Sequence, residues 1–166
     1  INNAFFNCFS LLELVIPSSV TSLEYSCFAN CKYLEKVELS SNIKEIPMYA
    51  FTACSSLTRI VIPSSVTIIH SDAFNDCTSL EEVILSPKLS CISSNCFMKC
   101  ISLKKIEIPS SISEIKSSAF FGCESLTDIK IPQSVKSIEQ YAFKQCTSLE
   151  KIIIDQFNIE IHVSSF

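Results

Sequence analysis

The sequence predicts a solenoid of seven 23-residue coils, with one parallel β-sheet, further extended segments and short helical or 3₁₀ turns. Three observations lead there. Phenylalanine recurs at Phe5, Phe28, Phe51, Phe74, Phe97, Phe120, Phe143 and Phe166, spaced by 23 each time without insertion or deletion. Cysteine follows three residues later at Cys8, Cys31, Cys54, Cys77, Cys100, Cys123 and Cys146. Leucine stands three further on at Leu11, Leu34, Leu57, Leu80, Leu103, Leu126 and Leu149. Self-similarity at a fixed period of this length is the signature of stacked repeats.

Each coil reads as three sides. The first is a short strand: in Leu80-x-x-Val83-x-Leu85 the last two apolar residues alternate with polar ones, the period-2 mark of a strand buried on one face. Pro17, Pro63, Pro109 and Pro132 follow such strands directly and stop the pairing, because proline has no N–H for a ladder. The second side is extended, as in Ser64-Ser65-Val66 running to Ile69. The third, as in Ala73-Phe74-x-x-Cys77, gathers apolar groups at the spacing of one short helical or 3₁₀ turn. Successive coils run the same way, so their strands form a parallel sheet at ~4.8 Å per coil.

A single coil cannot stand alone. About five large inward side chains contribute ~1.5–3 kcal/mol each when buried. Ordering the backbone costs ~1–2 kcal/mol per residue over all 23 positions. Neighbours must close each face and complete each ladder. The expected organisation is therefore one array over residues 1–166, with repeats starting near 4, 27, 50, 73, 96, 119 and 142. The chain opens on Ile1 within a full repeat, and Ser165-Phe166 begins another. The last coil departs from the pattern at Asp155, Phe157 and Asn158, and the expectation is a segment of a longer array.

Composition narrows the function. Of 166 residues, 48% are hydrophobic and 18% charged, which excludes intrinsic disorder. A net charge of −4 argues against nucleic acid or an anionic membrane recognised through bulk charge. No apolar run is long enough for a membrane-spanning helix. One glycine, Gly122, where about a dozen would be usual, disfavours a fold built on tight glycine turns.

The unit A/C-F-x-x-C-x-x-L-x-x-I-x-I-P-x-S-V-x-x-I, cleanest over Ala50 to Ile69 and Ala119 to Ile138, closely resembles the BspA-like class of leucine-rich repeats. The resemblance implies a right-handed leucine-rich-repeat solenoid of the α/β type. It also implies a surface or secreted protein of bacteria or protists, adhering to host cells, extracellular matrix or other microbes through protein or glycan ligands. The alternatives are an intracellular, cytoplasmic scaffold for protein assembly and a structural spacer with no ligand of its own. The family usually places glycine just after the last isoleucine, whereas here that column reads Glu24, Pro47, His70, Ser93, Lys116, Glu139 and His162. The corner must be turned without glycine.

No catalytic or metal site is expected, and no cofactor. The ten cysteines admit a disulfide reading. However, stacked parallel Cα–Cβ vectors stay ~4.8 Å apart, whereas a disulfide needs its Cβ atoms at ~3.8 Å. Cysteine as a small buried hydrophobe fits better. Cys27 and Cys96 occupy a column otherwise held by alanine, three coils apart, and cannot share a zinc ion. Cys91 lies outside these columns and is the best candidate for a reactive thiol. His70 and His162 share a column four coils apart, roughly 19 Å on the strand spacing, too far for a joint role. The repeated Ser-Ser pairs lack a recurring histidine and serve turns, not nucleophilic catalysis.

Ligand contact is expected on the exposed strand positions. One outward column, Glu13, Lys36, Arg59, Glu82, Lys105, Asp128, Lys151, alternates in sign at five of six steps and neutralises itself. The next is Val15, Glu38, Val61, Ile84, Glu107, Lys130, Ile153, in which Val61 and Ile84 are consecutive apolar residues. The candidate binding residues are Arg59, Val61, Glu81, Glu82, Ile84, Lys104, Lys105 and Glu107. A second candidate patch on the turn side is Met98, Ile101 and Phe121, which replace small polar residues. Phe6 and Phe9 are expected to cover an adjoining coil or cap.

Overall fold

A computed structural model describes residues 3–155 and 158–166, so the expected irregularity at Phe157 lies outside the described residues. The strands in chain order are β1 (Glu13–Val15), β2 (Lys36–Glu38), β3 (Glu45–Ile46), β4 (Arg59–Val61), β5 (Ile68–Ile69), β6 (Glu82–Ile84) and β7 (Cys91–Ile92). They continue as β8 (Lys105–Ile106), β9 (Glu114–Ile115), β10 (Asp128–Ile131), β11 (Ser137–Ile138), β12 (Lys151–Ile154) and β13 (Glu160–Ile161). All pairings are parallel, with every residue opposite its repeat counterpart, as in Arg59 beside Glu82 and Ile60 beside Val83. This is the stacked solenoid the repeat predicts.

Two features differ from expectation in detail. The second side is a sheet in its own right, with β3 paired to β5 and β7, β9, β11 and β13 paired in sequence. Its strands are only two residues long, too short for the alternation that reveals a strand in sequence. The first side also pairs in pieces, β1–β2, β4–β6–β8 and β10–β12.

The third side contains no helix among the described residues. It is a chain of turns whose amides donate three residues back, such as Ala29 to Ser26 and Cys31 to Phe28. Two residues per coil interrupt any helix by adopting positive φ, one on each side of the phenylalanine: Ser26 and Asn30 around Phe28, Asp72 and Asp76 around Phe74. Their amides point along the solenoid axis and donate to the next coil, as Asn30 does to Thr52 and Asp76 to Met98. The phenylalanine amides do the same, Phe51 to Ala73 and Phe74 to Cys96. The turn side is therefore a third set of inter-coil rungs.

This answers how the corner turns without glycine. Among the described residues, fourteen non-glycine residues carry φ between 51° and 66°, in the two columns flanking phenylalanine, not in the column of Glu24 and His70. Six of the fourteen are Asn or Asp, the types that best tolerate the left-handed region. Gly122, at φ 71°, belongs to the same set.

The core is a continuous column. Phe51, Phe74, Phe97 and Phe120 are fully buried, and all eight rings of the series stack with centroids 5.2–5.6 Å apart. Neighbouring rings lie within 15° of parallel. The cysteines do more than fill space. Six of the ten thiols donate to the carbonyl of the preceding coil's phenylalanine: Cys31 to Phe5, Cys54 to Phe28, Cys77 to Phe51, Cys100 to Phe74, Cys123 to Phe97 and Cys146 to Phe120, at 3.1–3.2 Å. The same carbonyl accepts the turn amide three residues on, so both its lone pairs are used. All ten cysteines are free. Burial pushes the thiols of Cys27 and Cys146 up to about 11 and Cys77 up to about 12, and holds Cys96, Cys100 and Cys123 well above the ordinary value of 9.0.

Replacing Phe74 by alanine should cost about 3–5 kcal/mol in denaturant unfolding, the range for a fully buried aromatic; a loss below about 1 kcal/mol means the column is not the core. The thiols supply a second expectation. Their folded-state pKa values are raised, so their stabilising contribution is intact below pH 9.0 and is lost as pH rises towards about 12. Thiolate absorbance from the buried cysteines should therefore appear near pH 9 in the unfolded chain and at higher pH in the folded one. Coincident titrations would mean exposed thiols.

Candidate functional site

The outward residues of the first sheet come in pairs because parallel register sets each beside its counterpart one coil on. Glu13 and Lys36 form an ion pair at 2.8 Å, and Arg59 Nε lies 2.5 Å from Glu82. Beside that column, Lys104 reaches Glu81 at 2.8 Å. The self-neutralisation expected of this face is thus present at these positions. It stops at Lys105. Register places Lys105 beside Glu82, but Arg59 has already engaged that carboxylate, and Lys105 forms no ion pair among the described residues.

The ladder itself ends here. Strand β8 holds only Lys105 and Ile106, so Glu107 falls beyond the pairing of β6 with β8, and β8 is not laddered to β10. Two hollows of about 510 Å³ and 460 Å³ flank this position and share Lys105, Ile106, Glu107 and Ile108. The first extends over Glu82, Ile84 and Pro87 to Pro109, and the second over Asp128, Lys130 and Pro132 to Ile153 and Asp155. Val61 and Ile84 are each 41% exposed, side by side in β4 and β6. The result is a shallow two-lobed depression: apolar patches at Ile84 and Ile153, an ammonium and a carboxylate between them without ion-pair partners, and proline-lined margins.

Of the predicted residues, Glu82, Ile84, Lys105 and Glu107 line the first hollow. Arg59 and Val61 continue the same face on β4, while Glu81 and Lys104 pair with each other beside it. Ile153, Lys130 and Asp155 were not among the predicted contacts. Lys130 and Ile153 share the outward column of Ile84 and Glu107, so the period could have named them. Asp155 stands where proline prevails and reaches Lys130 at 3.0 Å, a role the repeat does not signal.

The second predicted patch is less open. Ile101 is exposed, but Met98 and Phe121 are half-buried. Phe6 and Phe9 are exposed, with the Lys32 ammonium 5.9 Å from the Phe9 ring centroid. Cys91 faces outward from β7, half-buried, next to Ser93. His70 and His162 each neighbour a carboxylate, Glu45 at 2.9 Å and Glu160 at 3.7 Å, and not one another. Among the described residues, no group of three or more His, Cys, Asp or Glu is placed to hold a metal ion, and no helix is long and apolar enough to cross a membrane.

The structure is similar to that of a leucine-rich repeat protein of T. pallidum, with 26% identity, TM-score 0.66, and coverage of 96% of this chain and 64% of that one. A leucine-rich cell surface protein of Faecalibacterium prausnitzii matches with 25% identity and TM-score 0.58 over 93% of this chain and 62% of the other. A leucine-rich repeat protein of Eubacterium ventriosum has 28% identity and TM-score 0.77 over 93% of this chain and 42% of that one. The chain thus spans less than two thirds of each of these proteins. No curated protein sequence matches it. The BspA type leucine-rich repeat region is matched in six copies, over residues 1–127 and 90–166. With that repeat running the length of the chain and the parallel solenoid built from it, the protein belongs to the BspA-type leucine-rich repeat family.

Proposed function

We propose that this array is a non-enzymatic protein-binding scaffold of the cell-surface adhesin type, docking its partner on the first sheet around Lys105 and Glu107. The observation that carries the reading is the pair of adjoining hollows centred on two charges without ion-pair partners. Arg59 with Glu82 and Lys130 with Asp155 cancel within the molecule; between these pairs Lys105 and Glu107 leave one charge of each sign for a partner, beside the exposed side chains of Ile84 and Ile153. A partner segment with the opposite arrangement, an acid against Lys105 and a base against Glu107, gains charge-assisted hydrogen bonds that fix its register. The rigid column beneath holds these groups in place, so little ordering cost is incurred on binding. Surface placement is supported by the likeness to the F. prausnitzii cell surface protein.

The test is the double reversal Lys105→Glu with Glu107→Lys. Neither residue contributes an ion pair to the fold, so unfolding free energy should change by no more than about 0.5 kcal/mol. Attachment of the chain to epithelial monolayers and to immobilised extracellular-matrix proteins should fall about tenfold, equivalent to ~1.4 kcal/mol. Retained attachment moves the docking face elsewhere. No attachment by the parent chain to any of these surfaces leaves the adhesin reading without support and favours a spacer.

A further inference from the structure

One turn-side column holds short polar residues in six of its eight described positions, and two tyrosines depart from that rule. The first left-handed column reads Asn3, Ser26, Tyr49, Asp72, Asn95, Ser118, Tyr141 and Ser164. Short polar side chains suit it because they hydrogen-bond locally, whereas a bulky ring at positive φ is a genuine outlier. Tyr49 sits at φ 58°. Its ring does not enter the phenylalanine column. It meets Tyr25 of the preceding coil edge to face, with centroids 5.5 Å apart and planes at 75°. Tyr25 is 47% exposed, and Met48 beside them is exposed as well. Backbone strain of this kind, unrewarded by core burial, clusters where a surface has work to do.

Polar groups border the pair. The Tyr49 amide donates to the Ser71 carbonyl and the His70 amide to the Ile46 carbonyl, so His70 and Ser71 run alongside the segment that carries Tyr49. Within that strip His70 Nε2 lies 2.9 Å from Glu45 Oε2, both groups being exposed. We propose that this corner binds a neutral, pyranose-containing glycan. A pyranose has an apolar C–H face and a rim of hydroxyls. The face packs on an aromatic ring, whose quadrupole is negative there. The rim needs planar donors and acceptors, which the tyrosine hydroxyls, carboxylate and imidazole provide. Tyr25 is exposed and Tyr49 is half-buried, so the pair offers aromatic surface together with two hydroxyls.

Charge selects within the class. Glu24 directly precedes Tyr25, Glu45 lies in the strand that leads to Tyr49, and Asp72 is the counterpart of Tyr49 one coil on, so the neighbouring charges are acidic and disfavour sialylated and sulfated sugars. Size selects against a protein: the corner offers three side chains, Tyr25, Met48 and Tyr49, whereas a stable protein interface takes about 20–30 residues a side. Tyr141 shares the column and the conformation, at φ 62°, but the Lys144 ammonium lies over its ring at 4.7 Å. Its face is taken, and it serves as an internal control. The proposal concerns the turn side and is independent of the sheet-face reading.

The experiment measures binding of the 166-residue chain to immobilised N-acetyllactosamine, cellulose and laminarin oligomers and mannan, with sialyllactose and heparin fragments as acidic comparators. At least one neutral glycan should be bound, and Tyr25→Ser and Tyr49→Asn should each weaken it about tenfold. Tyr49→Asn should melt at an unchanged or higher temperature, because asparagine accepts the left-handed backbone. Tyr141→Asn should bind like the parent. Binding to acidic glycans alone, to none, or equally by all variants overturns the proposal. So does a Tyr49→Asn variant that loses binding only together with thermal stability. Loss of matrix-protein capture with no glycan bound overturns it too, and assigns the corner to a protein partner.

Discussion

Everything in this molecule depends on a carbonyl oxygen that accepts two hydrogen bonds. In each internal coil the phenylalanine carbonyl takes the amide of the cysteine three residues on, which closes the turn, and the thiol of the next coil's cysteine, which joins the coils. One acceptor therefore fixes both the shape of a coil and its distance from its neighbour. The ring on the same residue stacks on its counterparts at 5.2–5.6 Å, and these two constraints are compatible only if the period never varies. An inserted residue would displace the thiol from the carbonyl and the ring from the stack together. The absence of any insertion across eight phenylalanines follows from that coupling.

The same coupling explains the left-handed residues. Turn-side amides must alternate between closing their own turn and reaching the next coil, and a continuous helix would direct every one of them inward along itself. A left-handed residue on each side of the phenylalanine breaks the helix and turns an amide outward. Glycine would do this with least strain. The chain uses mainly Asn, Asp and Ser, which lose less backbone entropy on folding than glycine, and inter-coil hydrogen bonds hold the conformation in place.

The fold was legible because its determinants repeat. The phenylalanine, cysteine and leucine columns name the core, and the β4 and β6 outward residues follow from alternation alone. What was not legible involves either very short elements or departures from the repeat. Two-residue strands such as β7 and β9 have no periodicity to detect. The thiol-to-carbonyl bond requires knowing which backbone atom faces the cysteine one coil away, and sequence gives only the column. The alternating column sets Lys105 between Glu82 and Asp128; Arg59 taking Glu82 is a choice between two equally spaced partners that spacing cannot decide. Asp155 beside Lys130 and Tyr49 beside Tyr25 are single substitutions in otherwise regular columns, and their neighbours become visible only in the stacked coils.

Ten free thiols would ordinarily argue for a reducing compartment, since secreted proteins tend to pair their cysteines. That argument assumes thiols free to ionise and to approach one another. Here neither condition holds for the ladder. Each thiol is committed to a phenylalanine carbonyl of the preceding coil instead of a neighbouring sulfur, and burial keeps residues such as Cys77 and Cys100 protonated far above neutral pH. Disulfide formation proceeds through thiolate attack, so a protonated, hydrogen-bonded and inaccessible thiol is inert whatever the surrounding redox potential. Cys27 and Cys96 lack that bond and are protected by burial alone, while Cys8 and Cys91 are half-buried, at different sides of the coil and several coils from one another. The cysteine content is therefore compatible with an oxidising cell surface, because in this architecture cysteine acts as a hydrogen-bond donor of the right length and not as a cross-link.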